Sequence, residues 1–152
     1  MNALGLQILK SFESCRLTPY QDVGGVWTVG FGATGEDVTP GVVWTQYEAD
    51  TRLISDLAVR ETEVRSLLTV ALDDDQVSAL VDFCYNEGFE HLKTSTLLSK
   101  INSGDFNVEV EFKKWIYAGG EMEEGLVARR AAEACLFTSD YHGVEVILDA
   151  RG

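Results

Sequence analysis

The chain has 152 residues, a length that suits a single domain with a substantial hydrophobic core. Hydrophobic residues make up 45% and charged residues 24%, as in ordinary globular proteins, and no run of about 18 apolar residues indicates a membrane span. The formal net charge of -13 disfavours nucleic acid and anionic lipid surfaces as partners, because long-range electrostatics would repel both.

The first predicted element is a helix. Asn2 is a suitable N-cap, and apolar residues recur at helical spacing between Leu4 and Phe12. We expect this helix to end near Ser14 or the residue after it, because the approach to Pro19 disfavours further helix.

A short β region follows the first helix, between Leu17 and about Thr39. Its stretch GGVWTVGFG combines β-branched and aromatic residues with closely spaced glycines, a composition typical of short strands joined by tight turns. This is the only convincing β region in the sequence, so we predict one small sheet.

The rest of the chain is predicted to be helical. Thr45 and Glu48 match a capping box that opens a helix, and the charged stretch Arg60–Arg65 is interpreted as a bend or a junction between two helices. Further helices are predicted to begin at residues 73–75, to follow Ser95, and to cover about 106–116 and 126–137, with a breaker at Gly119-Gly120 and no strong pattern after Thr138.

Several kinds of functional site have little support. His91 and His142 are far apart and belong to no Cys/His cluster, so no metal site is predicted. Gly30-Phe31-Gly32 lacks the third glycine of a dinucleotide-binding loop, and no Ser/His or Cys/His motif is present. The odd number of cysteines, three, without a CxxC motif, indicates free thiols.

Carboxylates are the remaining candidates for chemistry. Glu13, Asp22 and Thr28 follow the spacing Glu-x8-Asp-x5-Thr. Glycosidic bond cleavage needs one acid to protonate the leaving oxygen and a second group to activate a water or attack the anomeric carbon. This spacing alone is a weak signal, because an isolated Glu or Asp is more often a solvated surface side chain.

The residues around this trio carry a resemblance to a known family. The stretch FESCRLTPYQDVGGVWTVGFGATG, residues 12–35, resembles the N-terminal signature of phage-type lysozymes, the endolysins of lambdoid and T-even phages in glycoside hydrolase family 24. Three later blocks match that family in order. They are QVSALVDFCYNEG (76–88), STLLSKINSGD (95–105) and WIYAGGEMEEGLVARRAAEACLF (115–137).

The resemblance implies a mostly helical α+β fold in two lobes with a cleft between them. Residues 1–152 would form one lysozyme-like catalytic domain, with a small β-containing lobe at about 15–60 and a helical lobe at about 1–14 and 61–152. The implied enzyme hydrolyses the β-1,4 bond between N-acetylmuramic acid and N-acetylglucosamine in peptidoglycan, without a cofactor or a metal. It would act as a monomer on the glycan strand, with neither nucleic acid nor membrane as a partner.

The same resemblance implies roles for individual residues. Glu13 would be the general acid, and Asp22 and Thr28 would hold and activate the water. Arg129 occupies the position of an arginine that approaches the catalytic glutamate, so we expect it to pair with Glu13. The backbone of Gly30-Phe31-Gly32 (residues 30–32), on the strand after Thr28, is a candidate sugar-contacting edge. The family is described as inverting, which requires carboxyl groups roughly 6.5–9.5 Å apart.

Two departures from the family pattern accompany the resemblance. Ser14 stands where glycine usually follows the catalytic glutamate, and Ala33 replaces a histidine that is normally structural. The acidic charge is also unusual for an enzyme acting on an anionic wall, and its repulsion should weaken with salt. These features keep a second interpretation open: a weak or inactive lysozyme-fold module that binds glycans or acts as a scaffold.

The sequence also allows an expectation about location. No secretory signal and no N-terminal anchor are recognised, so we expect synthesis in the host cytoplasm and release to the wall through a separate pore.

Overall fold

The computed structural model describes residues 1–152. It contains eight helices and two small antiparallel sheets. The helices are α1 Ala3–Phe12, α2 Gln46–Leu67, α3 Asp74–Glu87, α4 Phe89–Lys93, α5 Thr96–Asn102, α6 Glu109–Lys113, α7 Glu124–Phe137 and α8 Tyr141–Arg151. The strands are β1 Arg16–Gln21, β2 Trp27–Gly30, β3 Tyr117–Ala118 and β4 Glu121–Met122. The predicted α+β, mostly helical class is confirmed.

The chain divides into two compact units. One is formed by residues 1–12 and 60–152, and we call it the helical unit. The other is formed by residues 13–59, and we call it the sheet unit. No helix of the protein combines the length and the apolar composition that crossing a membrane requires.

The core of the helical unit is built around α3. Eight consecutive residues of this helix, from Val77 to Cys84, are buried, and α3 packs against α1 and α7. Asp73 caps its N-terminus, where Asp73 and Gln76 form a reciprocal capping box. Gly88 ends it at φ 97°, a conformation that glycine adopts without strain. A helix buried over this length is stabilised by burial of apolar surface rather than by its intrinsic propensity.

The predicted helix starts are largely confirmed by side-chain caps. Asn2 Oδ1 accepts the Gly5 N–H at 2.9 Å at the start of α1. Thr45 and Glu48 form the expected reciprocal pair at the start of α2, at 3.1 and 2.7 Å. Ser95 Oγ accepts the Leu98 N–H at 3.0 Å at the start of α5. Each bond satisfies a backbone donor that has no partner within the helix.

Several predicted boundaries are wrong. Helix α1 ends at Phe12, two residues before Ser14, and α6 is only five residues long. The charged stretch Arg60–Arg65 is not a junction, because α2 continues through it to Leu67. Ion pairs at i,i+3 and i,i+4 spacing, Arg60–Glu63 and Arg65–Glu61, lie along the helix surface and support it.

Two elements were missed entirely. Helix α8 covers most of the tail after Thr138, and Asp140 caps it by accepting the Gly143 N–H at 2.9 Å. The expected breaker Gly119-Gly120 is instead the two-residue turn of the β3–β4 hairpin, with φ of 58° and 84°. Two successive positive φ values are those of a type I′ turn, which matches the twist of a hairpin.

The sheet unit has its own small core. Strand β2 and the residues after it contribute Val29, Phe31 and Ala33, and the first half of α2 contributes Leu53 and Leu57, all buried. Ile54, which directly follows Leu53 in α2, is 55% exposed and lies outside this core.

Gly30 is required by the packing of this core. Its φ is 65°, and a Cβ at this position would lie 3.2 Å from two carbons of the Trp44 ring. We expect Gly30→Ala to lower the free energy of unfolding by about 1–3 kcal/mol, since the new residue would be strained as well as crowded. Urea denaturation measures this change.

Gly41→Ala is the matched control, because no atom lies within 4 Å of the added Cβ and its φ is not in the left-handed region. Its effect should stay within about 0.5 kcal/mol. Equal stability of the two variants would contradict the packing argument.

Candidate active site

Asp22 and Thr28 lie on one β-hairpin of the sheet unit. In the β1–β2 pair, Tyr20 lies opposite Thr28 and Gln21 lies opposite Trp27. The ladder continues one step further, because the Asp22 N–H donates to the Val26 carbonyl at 2.9 Å. Because side chains alternate along a strand, this register places Asp22 and Thr28 on the same face of the hairpin as diagonal neighbours.

The Asp22 carboxylate is held by the turn that it forms. Its Oδ1 accepts the N–H groups of Gly24 and Val26 at 2.8 and 2.9 Å. Such a local side-chain bond is the usual reason for aspartate at turns. Both donors bind the same oxygen, so Oδ2 is left to accept a proton or a hydrogen bond from a bound molecule. The residue is exposed, and its carboxylate has a fixed direction.

The Thr28 side chain is fixed as well. It is only 5% exposed, and its hydroxyl donates to the Val26 carbonyl at 3.0 Å. Because the hydroxyl proton is used in this bond, the oxygen can still accept a hydrogen bond from a water. Val26 therefore binds both residues, through its N–H to Asp22 and through its carbonyl to Thr28.

Glu13 lies directly after α1 and three residues before β1. Its side chain is half-buried. The last turn of α1 is held by Arg151 of α8, whose Nε donates to the Ser11 carbonyl at 3.1 Å and whose guanidinium lies 4.0 Å from the centre of the Phe12 ring. The residue before Glu13 therefore has a fixed position.

Residues 30–32 form a tight turn directly after β2. Val29 and Ala33 exchange two backbone hydrogen bonds, at 3.0 and 2.8 Å, and enclose Gly30, Phe31 and Gly32. The Phe31 side chain is 7% exposed, and both glycines have positive φ. Phe31 contributes to the core, so only the backbone of this turn is available to a sugar.

The two departures from the family pattern, Ala33 and Ser14, lie in different environments. Ala33 is 4% exposed, and its backbone bonds with Val29 are intact. Ser14 is exposed and lies outside helix and strand.

Arg129 belongs to the helical unit, where it takes part in a buried ionic cluster. Its Nε and Nη2 donate to the two carboxylate oxygens of Asp82 at 3.1 and 2.9 Å, a bidentate pair between α7 and α3. Both side chains are at most 4% exposed. Pairing of Arg129 with Glu13 stays a prediction.

Arg130 extends this cluster. It is fully buried and donates to Glu87, Asn86 and Glu133 at 3.0, 2.7 and 2.9 Å. Its guanidinium also lies 4.9 Å from the centre of the Phe83 ring. We did not predict the cluster from the sequence. Two signals could have indicated it: an aspartate within the apolar stretch of α3, and an Arg-Arg pair within an apolar helix.

The two buried acids of the cluster are perturbed in opposite directions. Burial opposes ionisation of Asp82, but the charges and hydrogen bonds around it, led by the Arg129 charge, hold its pKa below the ordinary value of 3.8. Burial raises the pKa of Glu133 well above 4.5, and the Asp82 charge adds to this effect. A hydrogen bond between the two side chains, in which the proton lies on Glu133, acts in the same two directions. With Glu133 protonated, Arg129 and Arg130 are balanced by Asp82 and Glu87.

Comparison with known proteins identifies the family. A family model described as phage lysozyme matches residues 10–133. The chain belongs to the phage lysozyme family. The matched range contains Glu13, Asp22, Thr28 and Arg129. The predicted family and the predicted enzyme class, lysozyme, are confirmed.

Individual proteins agree with this assignment. A SAR-endolysin of Bacteriophage PS119 is 39% identical over 128 residues, which cover 82% of this chain and 77% of that protein. The solved muramidase domain of SpmX from Asticaccaulis excentricus has a TM-score of 0.83 and 31% identity, covering 90% of this chain and 95% of that one. A P22 lysozyme mutant has a TM-score of 0.81 and 31% identity, covering 91% and 97%. The lysozyme-like fold is thus confirmed.

The raised pKa of Glu133 makes stability depend on pH. Above about 4.5 the unfolded chain releases this proton while the folded chain keeps it, so the wild type loses stability as pH rises toward the folded pKa. Glu133→Gln has no proton to retain. We expect its free energy of unfolding, relative to wild type, to increase in urea titrations as the pH rises above about 4.5.

Glu145→Gln, at an exposed position of α8, is the control and should show no such trend. Parallel pH profiles of wild type and Glu133→Gln would show that Glu133 ionises normally.

Removing the Asp82 charge should be costly. Asp82→Asn leaves Arg129 buried without its carboxylate, so we expect the free energy of unfolding at pH 7 to fall by about 3–5 kcal/mol. Asp149→Asn, at an exposed position of α8, should change it by less than about 0.5 kcal/mol. Urea denaturation of both variants at pH 7 is the measurement, and a loss below about 1 kcal/mol for Asp82→Asn would refute this account.

Proposed function

We propose that this protein is a muramidase that hydrolyses the β-1,4 bond between N-acetylmuramic acid and N-acetylglucosamine in bacterial peptidoglycan. The observation that carries the proposal is the hairpin geometry: Asp22 and Thr28 lie on one face, each fixed by the backbone of Val26, shortly after Glu13 in the chain. Membership of the phage lysozyme family supports the reaction class. The endolysin and muramidase names of similar proteins support the substrate.

Glu13 is the proposed general acid. In the transition state it donates its proton to the oxygen of the scissile glycosidic bond, so that the leaving sugar departs as a neutral alcohol. The bond between this oxygen and the anomeric carbon breaks as positive charge develops on the sugar ring.

Asp22 and Thr28 are proposed to orient and activate the attacking water. The free Oδ2 of Asp22 accepts a proton from the water while the water oxygen bonds to the anomeric carbon. The Thr28 oxygen accepts the second hydrogen of the water and thereby sets the direction of attack. Because water attacks the face opposite the leaving group, the anomeric configuration is inverted.

Arg129 is proposed to support this chemistry by pairing with Glu13 as that carboxyl group loses its proton. Its bidentate bond to Asp82 fixes the guanidinium group, so little side-chain entropy would be lost in the pairing. The backbone of residues 30–32 is proposed to contact the sugar.

The biological role that we propose is host cell lysis. The enzyme would be made in the host cytoplasm, reach the wall through a separate pore and act there as a monomer without a cofactor. The endolysin names of similar proteins support a role in lysis.

We expect Glu13→Gln to abolish clearing of outer-membrane-permeabilised Gram-negative cells, because glutamine cannot donate the proton. A loss of at least about 100-fold is typical of removing a general acid. Turbidity of the cell suspension measures the activity, and the thermal melt should be nearly unchanged. Glu36→Gln, at an exposed position of the same unit, is the matched control and should retain activity.

Muropeptide analysis by mass spectrometry tests which glycosidic bond of peptidoglycan the protein cleaves. Wild type should release fragments with a reducing N-acetylmuramic acid end. An anhydro end would instead indicate a lytic transglycosylase, and a reducing N-acetylglucosamine end would indicate a glucosaminidase. Glycan binding without any released muropeptide would support the alternative of an inactive binding module.

A further inference from the structure

A recess on the sheet unit has no role in the proposed chemistry. It has a volume of about 410 Å³, within the range of small-molecule sites, and lies along the first half of α2 and the loops before it. Its aromatic residues are Trp44 and Tyr47, and its charged residues are Asp37, Glu48 and Arg52. None of these residues belongs to the proposed catalytic set.

The aromatic side chains give the recess a flat apolar surface. Tyr47 is 79% exposed, although it lies in the first turn of a helix whose opposite face is buried. Trp44 is half-buried, with one part of its ring against Gly30. The negative face of an aromatic ring attracts the polarised C–H groups on the flat side of a pyranose, so exposed Tyr and Trp are suited to holding sugars.

The polar side chains are already positioned. Arg52 donates to Asp37, Asp56 and the Thr34 carbonyl at 2.6, 3.0 and 2.6 Å, so each of its three nitrogens has a partner. The Glu48 carboxylate accepts the Thr45 N–H at 2.7 Å. Because hydrogen bonds within the chain already hold these side chains, binding at this recess would have a small entropic cost.

The charges favour a neutral ligand. Asp37 and Glu48 outnumber Arg52 within the recess, so an anion would be repelled. A cation would gain less than it would from free carboxylates, because one oxygen of Asp37 already pairs with Arg52 and one oxygen of Glu48 accepts a backbone N–H. Thr51 and Ser55 add exposed hydroxyl groups, which pair well with the hydroxyl and amide groups of a sugar.

We propose that this recess is a second carbohydrate site, which binds N-acetylglucosamine residues of a glycan strand. N-acetylmuramic acid is disfavoured, because its lactyl carboxylate would approach Asp37 and Glu48. The choice of this sugar rests on the proposed function, since the wall glycan supplies it. A second point of attachment raises the effective concentration of the polymer near the enzyme without changing the chemical step.

The direct test is an NMR titration of the full-length Glu13→Gln protein, labelled with ¹⁵N, using the neutral β-1,4 tetramer of N-acetylglucosamine. We expect saturable shifts of the Trp44 indole N–H and of the amides of residues 47–55. Tyr47→Ala in the same background should weaken binding at these signals by about tenfold, or 1.4 kcal/mol, and Tyr47→Phe should restore it, because the ring face is kept. Val59→Ala, which changes an exposed residue further along α2, should leave the titration unchanged.

The functional test uses the otherwise wild-type protein on purified sacculi. Tyr47→Ala should raise the half-saturating sacculus concentration about three- to tenfold and leave the maximal rate unchanged, since Tyr47 does not touch the reacting atoms. Tyr47→Phe and Val59→Ala should behave as wild type.

The outcomes separate this proposal from the proposed function. Muramidase activity without saturable shifts at Trp44 and residues 47–55 would overturn the second site and leave the proposed function in place. Saturable shifts there in a chain whose wild type releases no muropeptide would support the second site and overturn the muramidase. The second site would also be overturned if free N-acetylmuramic acid or a cationic stem peptide bound at these signals more strongly than the N-acetylglucosamine tetramer.

Discussion

The bidentate bond between Arg129 and Asp82 is the interaction on which the helical unit depends most directly. It joins α7 to α3, two helices that share the core of this unit, and both side chains are almost completely buried. An isolated charge buried there would be very unfavourable, so each of these two side chains needs its partner on the other helix. The pair therefore fixes the packing of α7 against α3. Arg130 is likewise a buried charge with hydrogen-bond partners, which are Glu87, Asn86 and Glu133. The raised pKa of Glu133 favours its neutral form, which leaves the carboxylates of Asp82 and Glu87 to pair with the two arginines.

In the sheet unit, polar side chains are oriented by hydrogen bonds to the backbone rather than by buried ion pairs. Val26 binds Asp22 through its N–H and Thr28 through its carbonyl, so both side chains are oriented by a single residue of the hairpin. Gly30 allows Trp44 to pack closely beside the end of β2, and Trp44 in turn forms part of the recess that α2 borders. The same residues therefore connect the proposed catalytic hairpin to the proposed second glycan site. Their arrangement explains why a small sheet with little core can hold polar groups in fixed directions.

The elements that sequence patterns failed to predict share a physical cause. Helix α8 has a single buried residue, Val144, so it lacks a clear apolar face. Its place depends on contact with α7, where a Cβ on Gly143 would lie 2.7 Å from Cys135 Sγ. The β3–β4 hairpin has four exposed residues and therefore no alternating apolar pattern, although its Gly-Gly turn was a usable signal. Conversely, the charges of Arg60–Arg65 looked like an interruption, whereas ion pairs within the helix keep α2 continuous.

The sequence by itself determined the α+β class, the caps that begin α1, α2 and α5, the start of α3, and the family, because each depends on residues close together in the chain or on ordered motifs. It also singled out Glu13, Asp22 and Thr28 as candidates, although their roles came only from the resemblance. Tertiary structure alone decided that Asp82 and Glu133 are buried, that Phe31 belongs to the core, and that Tyr47 is exposed beside Trp44. These facts depend on contacts between distant segments, such as the 47 residues that separate Asp82 from Arg129. Burial and pairing of charge are properties of the packed chain: a charged residue in an apolar helix can indicate a buried charge, but it does not identify the partner.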